Sequence, residues 1–277
     1  MSAEALPHTL LILLIELAIG SLWLTLYSDL RGEVTRGFVL TMALLVAVVA
    51  GLTYWTTTSI SWTNNIDGYL INQDWLKTIQ HGTLAVLTAA SIYSFSVFMG
   101  WDPVGRIAAI GGAIGGLIVV VALAALLNPP IWFYLGGLAA LLTGTLAMGT
   151  VSTSMVWGHW YLTEGSLPAR PLRELTLILI SVIGLQTIFF IINAAIPEKT
   201  TPMPITEIGS GLLDNPMFYF RIGVGLLFSL VLAIFAFKTT QIRAMQSATG
   251  LLYVCMATVF TGEVLARGLQ FITGHPL

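Results

Sequence analysis

The chain has 277 residues, 56% of them hydrophobic and 9% charged, with a formal net charge of −2 and a mean hydropathy of +0.89. Ordinary soluble domains carry roughly 25% charged residues. So few charges cannot cover a surface against water, and so apolar a chain does not stay disordered. The near-zero charge leaves no electrostatic footprint for nucleic acid. The lone Cys255 excludes an intrachain disulfide, a cysteine-ligated iron–sulfur cluster and a zinc knuckle.

A spanning helix needs about 20 mostly apolar residues. Eight windows qualify: Thr9–Tyr27, Gly37–Thr57, Leu76–Gly100, Ile107–Leu127, Ile131–Leu162, Leu175–Ala195, Pro216–Phe237 and Thr249–Ile272. Short polar breaks with proline and glycine separate most of them, and the connections 58–75 and 196–215 are longer. The first window lacks a basic start and precedes further spans, so it reads as a retained helix. With no internal repeat, the expectation is an all-α, single-domain integral membrane bundle of eight transmembrane helices covering residues 1–277.

Lysine and arginine set the expected orientation. The loops after spans one, three, five and seven hold Arg31, Arg36, Arg106, Arg170, Arg173, Lys238 and Arg243, seven of the eleven cations. Lys77, Lys199, Arg221 and Arg267 belong to the opposite side. Both termini are therefore expected to be extracytoplasmic, in the cytoplasmic membrane of a prokaryote.

A charge at a helix centre costs roughly 2.5–3.5 kcal/mol on the insertion scale, so it persists when paired, hydrated or used. Glu16, His81, Arg221, Glu263 and Arg267 all fall on the outer side of their windows. Glu16 has no basic neighbour on its own helix, and Glu263 and Arg267 are spaced for an i,i+4 pair. Their shared depth points to a polar pocket near the outer face that binds a head group and passes protons. Each has a plainer reading: an ion pair for Glu263 and Arg267, snorkelling for Arg221, a helix-start residue for His81, and a protonated, backbone-bonded carboxyl for Glu16. His159, within Trp157-Gly158-His159-Trp160-Tyr161, reads as part of an interfacial aromatic belt or as a second site with Glu164 and Arg170.

Haem needs facing axial ligands, and His81 and His159 lie at opposite depths. His/Met ligation through Met99, Met148 or Met155 has no specific support. No metal site is expected. The glycine pairs Gly111/Gly115 and Gly112/Gly116, with Gly136, Gly137 and Gly144 in the fifth span, read as faces for close helix packing.

Thr261-Gly262-Glu263-Val264-Leu265-Ala266-Arg267-Gly268-Leu269-Gln270-Phe271 carries a Gly-Glu-x-x-x-Arg pattern, and Glu16-Leu17-Ala18-Ile19-Gly20 places a polar residue before small ones. In these stretches and in its span count the chain resembles the membrane-anchor subunits of dimethyl sulfoxide reductase-like molybdoenzymes, in the polysulfide reductase anchor superfamily. It departs from them at Tyr54-Trp55-Thr56-Thr57, where those anchors carry a histidine. The resemblance implies a quinone-reactive anchor that passes electrons between the quinone pool (menaquinone or ubiquinone) and an extracytoplasmic iron–sulfur subunit serving a molybdopterin catalytic subunit. Glu16 and His81 are then the proton acceptors or hydrogen-bond partners of the quinone, while Arg221, Glu263 and Arg267 organise the pocket. A proton-coupled transporter using Glu16, and a structural scaffold within a larger membrane complex, stay open as alternatives.

Overall fold

Helix stops in this chain are local and chemically explicit. Thr35 caps the second helix by accepting from the Phe38 amide at 3.3 Å. Gly100 ends the third at φ 84°, and Pro103 opens the next, where a missing N–H costs nothing. Asn215 caps the seventh span by accepting from the Met217 amide at 3.0 Å.

The computed structural model describes residues 5–66, 69–128, 131–164, 167–195 and 211–277. The helices are α1 (Ala5–Arg31), α2 (Arg36–Ser59), α3 (Leu76–Met99), α4 (Asp102–Leu127), α5 (Ile131–Glu164) and α6 (Arg170–Ala194). The seventh span is composite: α7 (Pro216–Phe220), a π-helical stretch (Arg221–Phe228) and α8 (Ser229–Gln241). The last helix is α9 (Met245–Thr273). Eight of these units are long and apolar enough to cross a membrane, each with at least 24 residues, or about 36 Å at 1.5 Å per residue. All eight expected windows are found, mostly as helices running a few residues past the window ends. Among the described residues the only strands form a hairpin between α2 and α3, with β1 (Asn65–Ile66) antiparallel to β2 (Tyr69–Leu70).

The helices form two four-membered rings. In the first, α1, α2, α3 and α4 pack in sequence order and α4 closes back onto α1. In the second, α5 packs on α6, α6 on α8, α8 on α9, and α9 back on α5. The rings meet along a seam where α1 packs on α5 and α9. Burial follows: about 70% of the apolar window is buried in α1 and α5, against 39–50% in the other six spans. At the tightest crossing a Cβ on Gly20 would stand 1.9 Å from the Thr145 carbonyl oxygen. The backbones of α1 and α5 therefore touch directly. Of the two glycine faces expected on α4, Gly112 and Gly116 pack on α1 and α3 side chains, whereas Gly111 meets nothing within 4 Å.

The side on which α1 begins is the Ala5 face, which also carries the hairpin and the end of α9. On the opposite, Arg31 face, ion pairs staple the rings together: Arg31 to Glu174 at 2.6 Å, and Arg170 to Glu33 and Glu174 at 2.9 Å each. Arg106 pairs with Asp29 at 2.9 Å, and Tyr93 donates to the same carboxylate. Arg36 donates to the Val97 and Phe98 carbonyls, placing a cation on the negative end of α3.

Candidate functional site

Four of the five ionisable residues singled out in the spans converge. Glu16 enters the seam from α1, Glu263 and Arg267 from α9, and Arg221 from the first position of the π stretch. At 1.5 Å per residue they lie about 8 to 16 Å below the Ala5-side ends of their helices, and Glu16 stands further from its helix end than the window opening at Thr9 suggested. The Arg267 Nη2 donates to Glu16 Oε1 at 2.6 Å and to the Ala140 carbonyl at 3.1 Å. The same nitrogen lies 3.5 Å from Glu263 Oε2, which closes the expected i,i+4 pair. Arg221 Nη1 donates to Glu263 Oε1 at 3.2 Å. Arg221 therefore pairs inside the bundle instead of snorkelling, and Glu16 finds its cation 251 residues away in the chain.

The network is sealed. Glu16, Glu263 and Arg267 are 0% exposed and Arg221 is 1% exposed. Where the sequence suggests a polar pocket near the outer face, the structure has a closed, charge-balanced cluster. The physical reason is the closeness of the seam: with glycines at the contacts, helices approach until only the charged groups fill the gap. Gly144 on α5 is the seat. A Cβ there would stand 2.6 Å from Glu16 Oε1, 2.7 Å from Glu263 Oε2 and 2.9 Å from Arg267 Nη2. Gly225 and Gly262 face each other across the π stretch and α9, and the Arg221 guanidinium runs over Gly262.

Neutral polar residues that the sequence reading missed extend the network. Gln186 on α6 donates to Glu263 Oε1 at 2.7 Å. Gln270 accepts from Arg267 Nη1 at 3.4 Å and donates to the Tyr69 hydroxyl at 3.3 Å. Tyr69 donates onward to the Leu127 carbonyl at 2.7 Å, and burial pushes its phenol above the usual range. Residues after the Gly274 turn fold back into the bundle, where the Leu277 carbonyl accepts from Arg267 at 3.5 Å and the Pro276 carbonyl from Asn193 at 2.5 Å.

Hydrogen-bonding capacity is left over. Among the described residues, Glu16 Oε2 and Glu263 Oε2 accept no hydrogen bond, and Arg221 Nε and Nη2 and Arg267 Nε donate none. Buried polar atoms are rarely left so. The cluster thus offers both acceptors and donors to a small polar group.

His81 does not join it. In the half of α3 that holds His81 the buried positions are Ile79, Thr83, Val86 and Ala90, and His81 is exposed on another side of the helix. It sits about 100° per residue from its neighbours, with Leu84 and Thr88 on the outward face. His159 is exposed at the Arg31-face end of α5, its Nδ1 3.2 Å from the Tyr253 hydroxyl. Arg170, expected beside it, pairs with Glu33 and Glu174 instead. Among the described residues no three His, Cys, Asp or Glu side chains are grouped to hold a metal ion.

No protein-family model, no curated protein and no solved structure matches the chain.

Proposed function

We propose that the chain is a quinone-reactive membrane subunit in which the Glu16–Arg267–Glu263–Arg221 network handles the protons of quinone chemistry. The observation that carries this reading is the convergence of four ionisable residues from three spans, with two carboxylate oxygens that accept no hydrogen bond among the described residues. A quinol losing two electrons gives up two protons, and its oxygens need groups that accept and donate hydrogen bonds. Glu16 Oε2 and Glu263 Oε2 are the acceptors at hand, and the two arginines hold their carboxyls in place. Gln186 and Gln270 orient the ends of the network. His81 drops out of the mechanism because it faces away from the seam.

In this reading the Ala5 face is extracytoplasmic in a prokaryotic cytoplasmic membrane, as the distribution of Lys and Arg suggests. There it meets an iron–sulfur subunit, which exchanges electrons with a molybdopterin catalytic subunit. Co-purification in mild detergent tests the proposal. Bound quinone and a redox partner are expected, and Glu16→Gln lowers quinone-linked turnover at least tenfold while the complex still assembles. Intact turnover in that variant removes the proton role.

A second reading is a proton-coupled carrier. It is favoured by one observation: the buried charges occupy the seam between two four-helix rings, where relative movement of the rings would expose them alternately. Proton flux by the isolated chain in liposomes, with no redox partner, supports the carrier.

A further inference from the structure

On the Arg31 face most cations are already engaged. Arg31 and Arg170 pair with Glu174 and Glu33, Arg106 pairs with Asp29, and Arg36 donates to the carbonyls that end α3. Arg173, Lys238 and Arg243 differ: among the described residues none of the three pairs with a carboxylate. All three are exposed, and they gather at one corner, where α6 begins and α8 turns into α9. The Arg173 guanidinium stands 5.8 Å from the centre of the Phe237 ring, so α6 reaches across to the residue that precedes Lys238. The positive ends of α6 and α9 point to the same face, and neither is closed by a side-chain cap.

The turn at Arg243 adds a second sign. Its amide donates to the Thr240 carbonyl and the Ala244 amide to the Thr239 carbonyl, the paired bonds of a Schellman stop. The residue at this place has φ 57°, where glycine sits freely and a β-carbon is strained. Gly32, Gly100 and Gly274 fill the corresponding positive-φ places after α1, α3 and α9. Only at this corner does a cation take the glycine position among the described residues. Toward mid-membrane the outward sides of α6 and α8 are apolar. Leu177 lies one turn from Arg173 and Phe235 one turn from Lys238, and both are about half exposed. Because α6 packs along α8, these two faces lie side by side beneath the cations.

We infer that this corner binds an anionic phospholipid of the leaflet at the Arg31 face. Arg173, Lys238 and Arg243 surround the head-group phosphate, and the Leu177 and Phe235 faces take the acyl chains. The site is independent of the quinone reading. Charge selects the head group: three cations without counter-ions are answered by a phosphate diester, whereas a zwitterionic head group brings its own cation. The two arginines add paired N–H donors that match phosphate oxygens. Place selects a lipid over a free anion, since the cations stand at the ends of apolar, span-length helices with exposed apolar side chains directly below.

The test uses the purified full chain in nanodiscs of phosphatidylcholine and phosphatidylglycerol in equal amounts. Native mass spectrometry counts the lipid retained on the released chain, and phosphatidylglycerol is expected to dominate. Each cation lost is expected to lower that retention about fivefold, in the pair Arg173→Gln with Lys238→Gln and in Arg243→Gly. The glycine variant also relieves the backbone, so its stability toward dodecyl sulfate should match or exceed that of the unmodified protein, which separates lost lipid from lost fold. A photoactivatable phosphatidylglycerol on the unmodified protein is expected to label peptides 173–181 and 231–243. Equal retention of the two lipids, a preference unchanged in both variants, labels confined to α2 and α3, or displacement of the retained lipid by inorganic phosphate overturns the site.

Discussion

Gly144→Ala probes the seat of the network with a single methyl group. The new carbon would lie 2.6, 2.7 and 2.9 Å from Glu16 Oε1, Glu263 Oε2 and Arg267 Nη2, all shorter than a carbon tolerates. To reach ordinary van der Waals contact at 3.4 Å the three groups must retreat by about 0.8, 0.7 and 0.5 Å. Arg267 is least able to, because the same nitrogen also donates to the Ala140 carbonyl on α5. Overpacking typically costs about 1–3 kcal/mol, and a fully broken buried ion pair roughly 3–5 kcal/mol. Alanine regains up to about 1 kcal/mol of helix propensity. The net expectation is a loss of about 2–4 kcal/mol. Gly111→Ala is the control, since a Cβ there meets nothing within 4 Å, and it should be neutral or slightly stabilising. Reversible unfolding in mixed micelles titrated with dodecyl sulfate measures both. Equal stability of the two variants would refute the placement of three charged groups around Gly144.

Three further predictions follow from other parts of the molecule. His81→Ala leaves stability and the proposed quinone binding unchanged, because the imidazole is exposed away from the seam; a tenfold weaker Kd for a short-chain quinone would restore it to the site. Asp29→Asn removes the charge and one of the two oxygens that accept from Tyr93 and Arg106 and should cost about 1–2 kcal/mol, discounted because Arg106 is partly exposed, in the same micelle titration. Tyr69 sets an alkaline limit: its folded phenol is raised above the ordinary value of about 10. As pH climbs past that value the unfolded chain loses a proton that the folded chain retains, so stability falls. Tyr69→Phe should flatten the fall between neutral pH and about pH 11, and an unchanged pH profile would contradict it.

The eight spans were legible because hydropathy needs no knowledge of neighbours, and their ends were legible from Gly100, Pro103 and Asn215. Shared depth grouped Glu16, His81, Arg221, Glu263 and Arg267, and four of the five meet while His81 does not. What could not be read was direction around each helix. In a soluble helix the polar face marks the outside, but here lipid and core are both apolar. Nothing in the α3 sequence therefore told that His81 faces out while Thr83 faces in. Ring order was equally hidden, so the partner of Glu16 was invisible until α9 lay beside α1. Gln186 and Gln270 escaped because a neutral polar residue in a span carries too small an insertion penalty to stand out, and Tyr69 because it lies in the hairpin between two spans. The π stretch left only the trace of Gly223 and Gly225 two residues apart, which loosens a helix without naming the result. The same blindness explains the sealed site: Gly144 read as a packing residue but not as the seat of the charges, and neither Gly225 nor Gly262 was singled out for packing at all.

The central claim is that Glu16 of the first ring and Arg267 of the second form one buried pair at the seam. A double-mutant cycle on unfolding free energy, with Glu16→Gln, Arg267→Gln and both together, measures it directly. The account predicts that each single variant is strongly destabilised and that the double variant recovers a coupling of about 1.5–3 kcal/mol. Strictly additive effects would contradict it.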